Sequence, residues 1–350
     1  MQRTKIEWAD FSSNPIRAVN PENGKRGWAC TKVSAGCARC YAERLNLGRF
    51  GNGLPFTVEG AAKARWELNR DELLRWICRR KPGRVFVGDM TDLYHERVSD
   101  EWLDQIHAAM ALSPHLTFME LTKRPERMAE HTASPETPFR VARQMDVISA
   151  FDREPVNDEP ACHRDGNATN KHIANLRWGS PSENGEDRNR HGNAPSCSEQ
   201  HNVQPSIEWP LPNCWKGTSV ENQEMADERV PHLLRCPAAV NFLSLEPLLG
   251  PIDLSPWIWP NSCGCLDIDN DVNPILCPHC RGTGAVTAFD WVIIGSESGS
   301  KARRCELDWV RGLRDQCLTA GVPFFWKQHV VNGRKMSTPE LDGKRWVEFP

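Results

Sequence analysis

Three cysteines close together near residue 35 are the side chains best suited to chemistry. Cys30, Cys37 and Cys40 fall within the run Cys30-Thr-Lys-Val-Ser-Ala-Gly-Cys37-Ala-Arg-Cys40, which carries a glycine and reads as a loop. Tyr41, Leu45, Leu47 and Phe50 follow at spacings that suit a helix. A structural zinc ion is normally closed off by four protein ligands. A 4Fe–4S cluster held by only three thiolates leaves one iron free for a small molecule. The grouping therefore predicts such a cluster on Cys30, Cys37 and Cys40. The plainer alternative is incidental thiols, since the chain carries 14 cysteines in all.

A second cysteine group is built differently. Cys263-Gly-Cys265 and Cys277-Pro-His-Cys280 are two pairs separated by a short loop bearing Asp267, Asp269 and Asp271. Two close pairs of thiolates fit a four-thiolate zinc knuckle, with Pro and Gly supplying the tight turn. Four protein ligands leave no open position, so the expected role is structural. A knuckle can also touch nucleic acid.

The elements that must position these groups alternate. Ile6 to Trp8 reads as a short first strand. Arg70 to Arg80 reads as a helix stopped by Lys-Pro-Gly, and Arg84 to Gly88 as a buried strand ending in Asp89-Met-Thr-Asp92. A helix over 99–112 is capped by Ser99, and His115 to Leu121 is the next strand, closed by Thr122-Lys123-Arg124-Pro125. The rhythm resumes at 213–217 leading to Glu221, at 240–245 ending in Glu246, and at 290–294 ending in Ser296-Glu297. Helices to about Arg235 and over 308–320, and a strand at 323–326, complete it. Repeated strand–loop–helix units predict an α/β fold, a parallel partial TIM-type barrel of about six strands. Such folds gather ligand groups at the carboxyl ends of strands. Asp89, Asp92, Lys123, Glu221, Glu246, Ser296 and Glu297 all fall there, and together they are the candidate cofactor-binding set.

Composition narrows the class. With 350 residues, a formal net charge of -3 and 25% charged residues, nothing global argues for nucleic acid. No apolar run approaches membrane-spanning length, which predicts no membrane partner. Without an apolar leader at Met1-Gln-Arg-Thr-Lys, the thiols are expected to be reduced and the protein cytoplasmic.

Several stretches resemble a phage-borne family of radical-SAM-like three-cysteine barrel proteins. They are Thr4-Lys-Ile-Glu-Trp8, Asn14-Pro15, the cysteine loop with Tyr41-Ala-Glu43, Asp89-Met-Thr-Asp-Leu93, Leu121-Thr-Lys-Arg-Pro125, Ser244 to Pro251, Gly295 to Gly299 and Leu341-Asp-Gly. The resemblance covers residues 1–133 and 205–350, the expected two halves of the barrel. It implies a cluster-binding fold that takes S-adenosylmethionine and needs an electron donor, and it names no substrate. Six residues separate Cys30 from Cys37, where most radical SAM enzymes have three.

Between the halves, residues 138–193 turn polar and form an expected separate insert. The run Ala161-Cys-His163-Arg-Asp-Gly-Asn, with Asn175-Leu-Arg-Trp178 and Asn184, resembles an HNH homing-type nuclease module. That resemblance implies His163 as the base that takes a proton from water and Asn175 as the orienting residue. It implies Asn184 at or beside a divalent metal, magnesium being the expected ion. Residues 141–151 resemble the helix that precedes the motif, and Cys162 stands where some active relatives have an acidic ligand. Two functions follow. One is a radical-SAM-like enzyme acting on a nucleobase, DNA or RNA. The other is a metal-dependent endonuclease or DNA-binding protein that uses the barrel as scaffold.

Overall fold

The computed structural model describes residues 1–151, 207–258, 261–262, 285–286, 289–298, 302–331 and 333–350. The chain begins with β1 (Gln2–Arg3) and β2 (Phe11–Ser13). A small antiparallel sheet follows from β3 (Ile16–Val19), β4 (Arg26–Gly27) and β5 (Arg65–Leu68), with α1 (Tyr41–Leu47) and α2 (Val58–Lys63) between β4 and β5 in sequence. Next come α3 (Arg70–Cys78), β6 (Gly83–Val87), α4 (Asp100–Ala111), β7 (Leu116–Thr122), α5 (Pro125–Thr132) and α6 (Thr137–Phe151). The second half supplies β8 (Cys214–Ser219), α7 (Gln223–Leu233), β9 (Val240–Leu245), α8 (Ser255–Ile258) and the two-residue pair β10 (Asn261–Ser262) and β11 (Ala285–Val286). The remaining elements are β12 (Trp291–Gly295), α9 (Leu307–Ala320), β13 (Phe324–Val331), β14 (Arg334–Ser337) and the hairpin β15 (Glu340–Leu341) and β16 (Lys344–Arg345).

One nine-stranded sheet organises these parts, in the order β1-β2-β6-β7-β8-β9-β12-β13-β14. From β2 to β13 every neighbouring pair is parallel, and only β1 and β14 run antiparallel at the two edges. The expected α/β class with a large parallel sheet is therefore present. The expected strand count of about six is exceeded, and the sheet does not close: β1 and β14 remain its two edges.

Strands buried on both faces need apolar residues at successive positions, not alternate ones. All five residues of β12 are buried, as are Val85, Phe86 and Val87 of β6. Period 2 then sorts them. Val85, Val87, Phe118, Leu243, Val292 and Ile294 join the core under the helices, while Phe86, Met119, Phe242, Trp291 and Phe325 join a second cluster on the opposite face. The helices are cut by local chemistry. The side chains of Ser99 and Asn222 accept the N–H of Trp102 and Met225, and Gly321 ends α9 at φ 71°.

The second cluster shows that the sheet curls. The ring of Trp8 lies 4.7 Å from that of Phe86 and 6.4 Å from that of Trp291, so these two are at most 11.1 Å apart. Four strand spacings separate β6 from β12, about 19 Å on a flat sheet. Gly217 is required on this face, since a Cβ there would stand 2.4 Å from the ring of Phe242. Ile6 to Trp8 is thus not the expected strand. It crosses the hollow, with Trp8 only 1% exposed. Glu7 then pairs with Lys335 of β14 at 2.9 Å, tying one sheet edge toward the other. No described helix is long and apolar enough to cross a membrane.

Trp8→Ala removes the side chain shared by the aromatic rings of three strands, Phe86, Phe242 and Trp291. It should lower stability by about 3–5 kcal/mol, read as a fall in the urea midpoint of the full chain.

Candidate functional site

At the carboxyl ends of the parallel strands lies a cavity of about 480 Å³. Cys30, Cys37 and Cys40 all line it. So do Asp89, Asp92, Lys123, Glu246, Ser296 and Glu297. Of the seven strand-end residues picked from the sequence, Glu221 alone does not line it. Trp8, Phe86 and Leu121 of the inner aromatic face also border the space, so the plug that fills the curl is the cavity's floor.

Glu221 has another task. Its carboxylate accepts the backbone N–H of Gly36 at 2.9 Å, inside the single 3-10 turn (Ala35–Cys37) of the cysteine loop. A Cβ at 36 would lie 3.0 Å from that carboxyl group, so any other residue would press the brace outward by a few tenths of an ångström. The buried Arg229 holds the other oxygen at 3.2 Å. Burial works against the charge of Glu221, but Lys123, Ser34, Gly36 and Arg229 outweigh it and keep its carboxyl below the usual range.

Two arginines complete the mounting of the loop. Arg124 donates to the carbonyl and hydroxyl of Thr31 at 3.2 and 2.6 Å and to Asp92 at 3.0 Å. Asp92 is itself fixed by the Thr122 hydroxyl at 2.6 Å and the Lys123 N–H at 3.1 Å. On the far side Arg303 bonds Glu297 at 2.5 Å and the carbonyl of Ala35 at 2.9 Å. A loop with one turn of regular structure is thus held by charged groups from the ends of β6, β7, β8 and β12.

The thiols stand in an environment that disfavours free thiolates. Cys30 and Cys40 pack against Ala42, Phe56 and Met90. Burial pushes the Cys30 thiol up to about 12, with Asp92 adding to the shift, and also raises that of Cys40. Arg124, 4.0 Å from the Cys30 sulfur, and Lys123 oppose these shifts without outweighing burial, so Cys30 and Cys40 would gain from a metal centre that supplies positive charge. Among the described residues only His107, Glu120 and Cys214 bring three ligand atoms within 4.8 Å of one another. The loop cysteines are more widely spread. Around a single zinc ion, sulfurs sit about 3.8 Å apart, closer than the three loop thiols stand as a set.

The His107, Glu120 and Cys214 group lies on the other face of the sheet and was not found from the sequence. Its centre is filled by the ammonium of Lys216, which bonds the Glu120 carboxylate and lies 2.8 Å from His107 Nε2. Tyr94 donates to Glu120 at 2.7 Å. The group is a buried ion network in which lysine occupies the place a metal would take. Only the polar residues Glu120 and Lys216 inside otherwise apolar strands could have signalled it.

His163, Asn175 and Asn184 lie outside the described residues, as do Cys263, Cys265, Cys277 and Cys280. Residues 141–151, read as the helix preceding the nuclease-like motif, lie in α6, which packs on α4 and sends Val141 and Ile148 into the core under the helices, so the expected separate insert does not begin at 138.

Fold and site together define an α/β protein with a cysteine-lined cavity at the carboxyl ends of a mostly parallel sheet. The family described as "Protein of unknown function (DUF5131)" matches residues 3–350, and the chain belongs to it. No curated protein and no solved structure matches the chain.

Burial, reinforced by Lys216, lowers the pKa of His107 from 6.5 to about 4. The unfolded chain therefore binds the extra proton first as pH falls. Stability should drop between pH 6.5 and 4, by up to about 3 kcal/mol. His107→Gln should flatten that part of a plot of urea midpoint against pH.

Proposed function

We propose that this protein is a radical-SAM-like iron–sulfur enzyme acting on a nucleobase or nucleotide. In this reading the parallel strands form an open TIM-type barrel. One observation carries the proposal: three thiols and the polar residues of five strand ends border the same cavity. Cys30, Cys37 and Cys40 would hold a 4Fe–4S cluster with one iron left for S-adenosylmethionine. Such a centre, once reduced by an electron donor, supplies one-electron cleavage of the sulfonium.

The chain's own residues bind, orient and exclude water. Glu221, Arg124 and Arg303 fix the cysteine loop against the strand ends. Trp8 and Phe86 close the floor, which keeps solvent from the reacting groups. Lys327 holds Glu246 at 2.8 Å, and Asn14 holds Asp89 at 2.6 Å, so the acceptors facing a bound ligand have set directions. Burial raises the Asp89 carboxyl above the usual carboxylate range, against the hydrogen bond from Asn14. In the same reading Cys263, Cys265, Cys277 and Cys280 hold a structural zinc, and His163, Asn175 and Asn184 serve a magnesium-dependent DNA-cleaving insert.

Anaerobically prepared full-length protein should be brown and carry about four irons per chain with matching sulfide. Cys37→Ala should lose the iron and the colour. Cys317→Ala, whose thiol is buried in the helix-side core, should keep both. Full iron in Cys37→Ala would end the proposal.

A further inference from the structure

We propose that Lys123 and Ser244 form an oxyanion subsite on the cavity wall, one that takes a carboxylate or a phosphate. The proposal rests on reading the cavity as a ligand site and adds the chemical class of one group of the ligand.

The charges around the cavity are almost all matched. Asp92 is paired with Arg124 at 3.0 Å, Glu246 with Lys327 at 2.8 Å, Glu7 with Lys335 at 2.9 Å and Glu297 with Arg303 at 2.5 Å. Asp89 accepts from the Asn14 amide at 2.6 Å. Lys123 differs. An ammonium has three protons to donate, and Lys123 gives one to the Ser219 hydroxyl. No carboxylate among the described residues lies within ion-pair distance of it. Lys5 also lacks such a partner, but it is solvent-exposed, whereas Lys123 is only partly accessible.

Strand register sets the neighbours. Thr122 pairs with Thr218 across β7 and β8, so Lys123 follows beside Ser219, and Ser219 pairs with Ser244 across β8 and β9. Ser219 is fully used, accepting from Lys123 and donating to the Glu246 carbonyl at 3.2 Å. Ser244 is not. The residue borders the cavity and is 0% exposed, and its hydroxyl oxygen has no hydrogen-bond partner. Buried hydroxyls are rarely left so. Two unspent ammonium protons and one unspent hydroxyl, from the two strands that flank β8 and bordering one cavity, are complementary to the paired oxygens of an oxyanion. Glu221 acts on this ammonium from beyond ion-pair distance, and a neutral acceptor would add nothing to that compensation, whereas an oxyanion would.

Calorimetric titration of the full-length, anaerobically prepared protein tests this with two probe pairs. One pair is S-adenosylmethionine and its decarboxylated form; the other is adenosine 5′-monophosphate and adenosine. Each pair differs by one oxyanion. The wild type should bind the oxyanion-bearing member of at least one pair more tightly, and the pair that responds identifies carboxylate or phosphate. Lys123→Met should weaken that member by roughly 10- to 100-fold without weakening the partner that lacks the oxyanion, and Lys123→Arg should retain most of the preference. Ser244→Ala should lose a smaller part. If Lys123→Met does not fold, Lys123→Gln and Ser244→Ala are read in the same way. A preference that survives these substitutions, or no preference in the wild type, overturns the proposal. Iron measured on the same samples separates the two readings. A Lys123-dependent preference without iron leaves the subsite standing and removes the cluster; full iron without a preference does the reverse.

Discussion

A parallel sheet that curls without closing has an inner face that its own strands cannot seal. Here Phe86, Phe242, Trp291 and Phe325 converge on that face, and Trp8 enters from a non-strand segment to fill the space among them. The chain's other end contributes too, with Phe349 5.0 Å from Trp291 and the Trp291 indole bonded to the Glu348 carbonyl at 2.8 Å. Everything above this plug depends on it. The depth of the cavity is the height of Trp8 below the strand ends, and the glycine at 217 keeps the aromatic layer from being forced apart.

Above the plug the structure switches from apolar packing to ion pairs. The cysteine loop has little backbone hydrogen bonding of its own, so its position comes from side chains that reach it from several strands. Each of these is itself paired: Glu221 with Arg229, Arg124 with Asp92, Arg303 with Glu297. Breaking a buried pair of this kind by removing one partner is expensive, because the survivor keeps its charge without water. The loop is therefore held rigidly although it is irregular, as a preorganised ligand set requires.

Much of this could be read in the sequence, and for identifiable reasons. Continuous apolar runs such as 240–245 and 291–295 marked the strands, and polar residues directly after them marked the rim; six of seven line the cavity. Glu221 was found but given the wrong role, because sequence spacing does not tell a residue that touches a ligand from one that braces a loop 185 positions away. Ile6 to Trp8 read as a strand because alternation is the same whether a tryptophan faces a sheet or plugs one. Closure was beyond reach for a similar reason, since strand number and curl are set by side chains meeting across the hollow. The network of Glu120, Lys216 and His107 left only two charges in apolar runs, and its members lie up to 109 residues apart.

Because the strands of the main sheet follow chain order, the molecule is assembled from one edge to the other. The loop carrying Cys30, Cys37 and Cys40 is made early, yet the carbonyl of Ala35 is held by Arg303, 268 residues later. At ordinary rates of synthesis that interval is on the order of 15–50 s. Throughout it the thiols belong to a loop whose far clamp has not left the ribosome. The loop is thus clamped first from the side of Arg124 and Glu221, and from both sides only once Arg303 has been made. The order of the strands decides when the second clamp arrives.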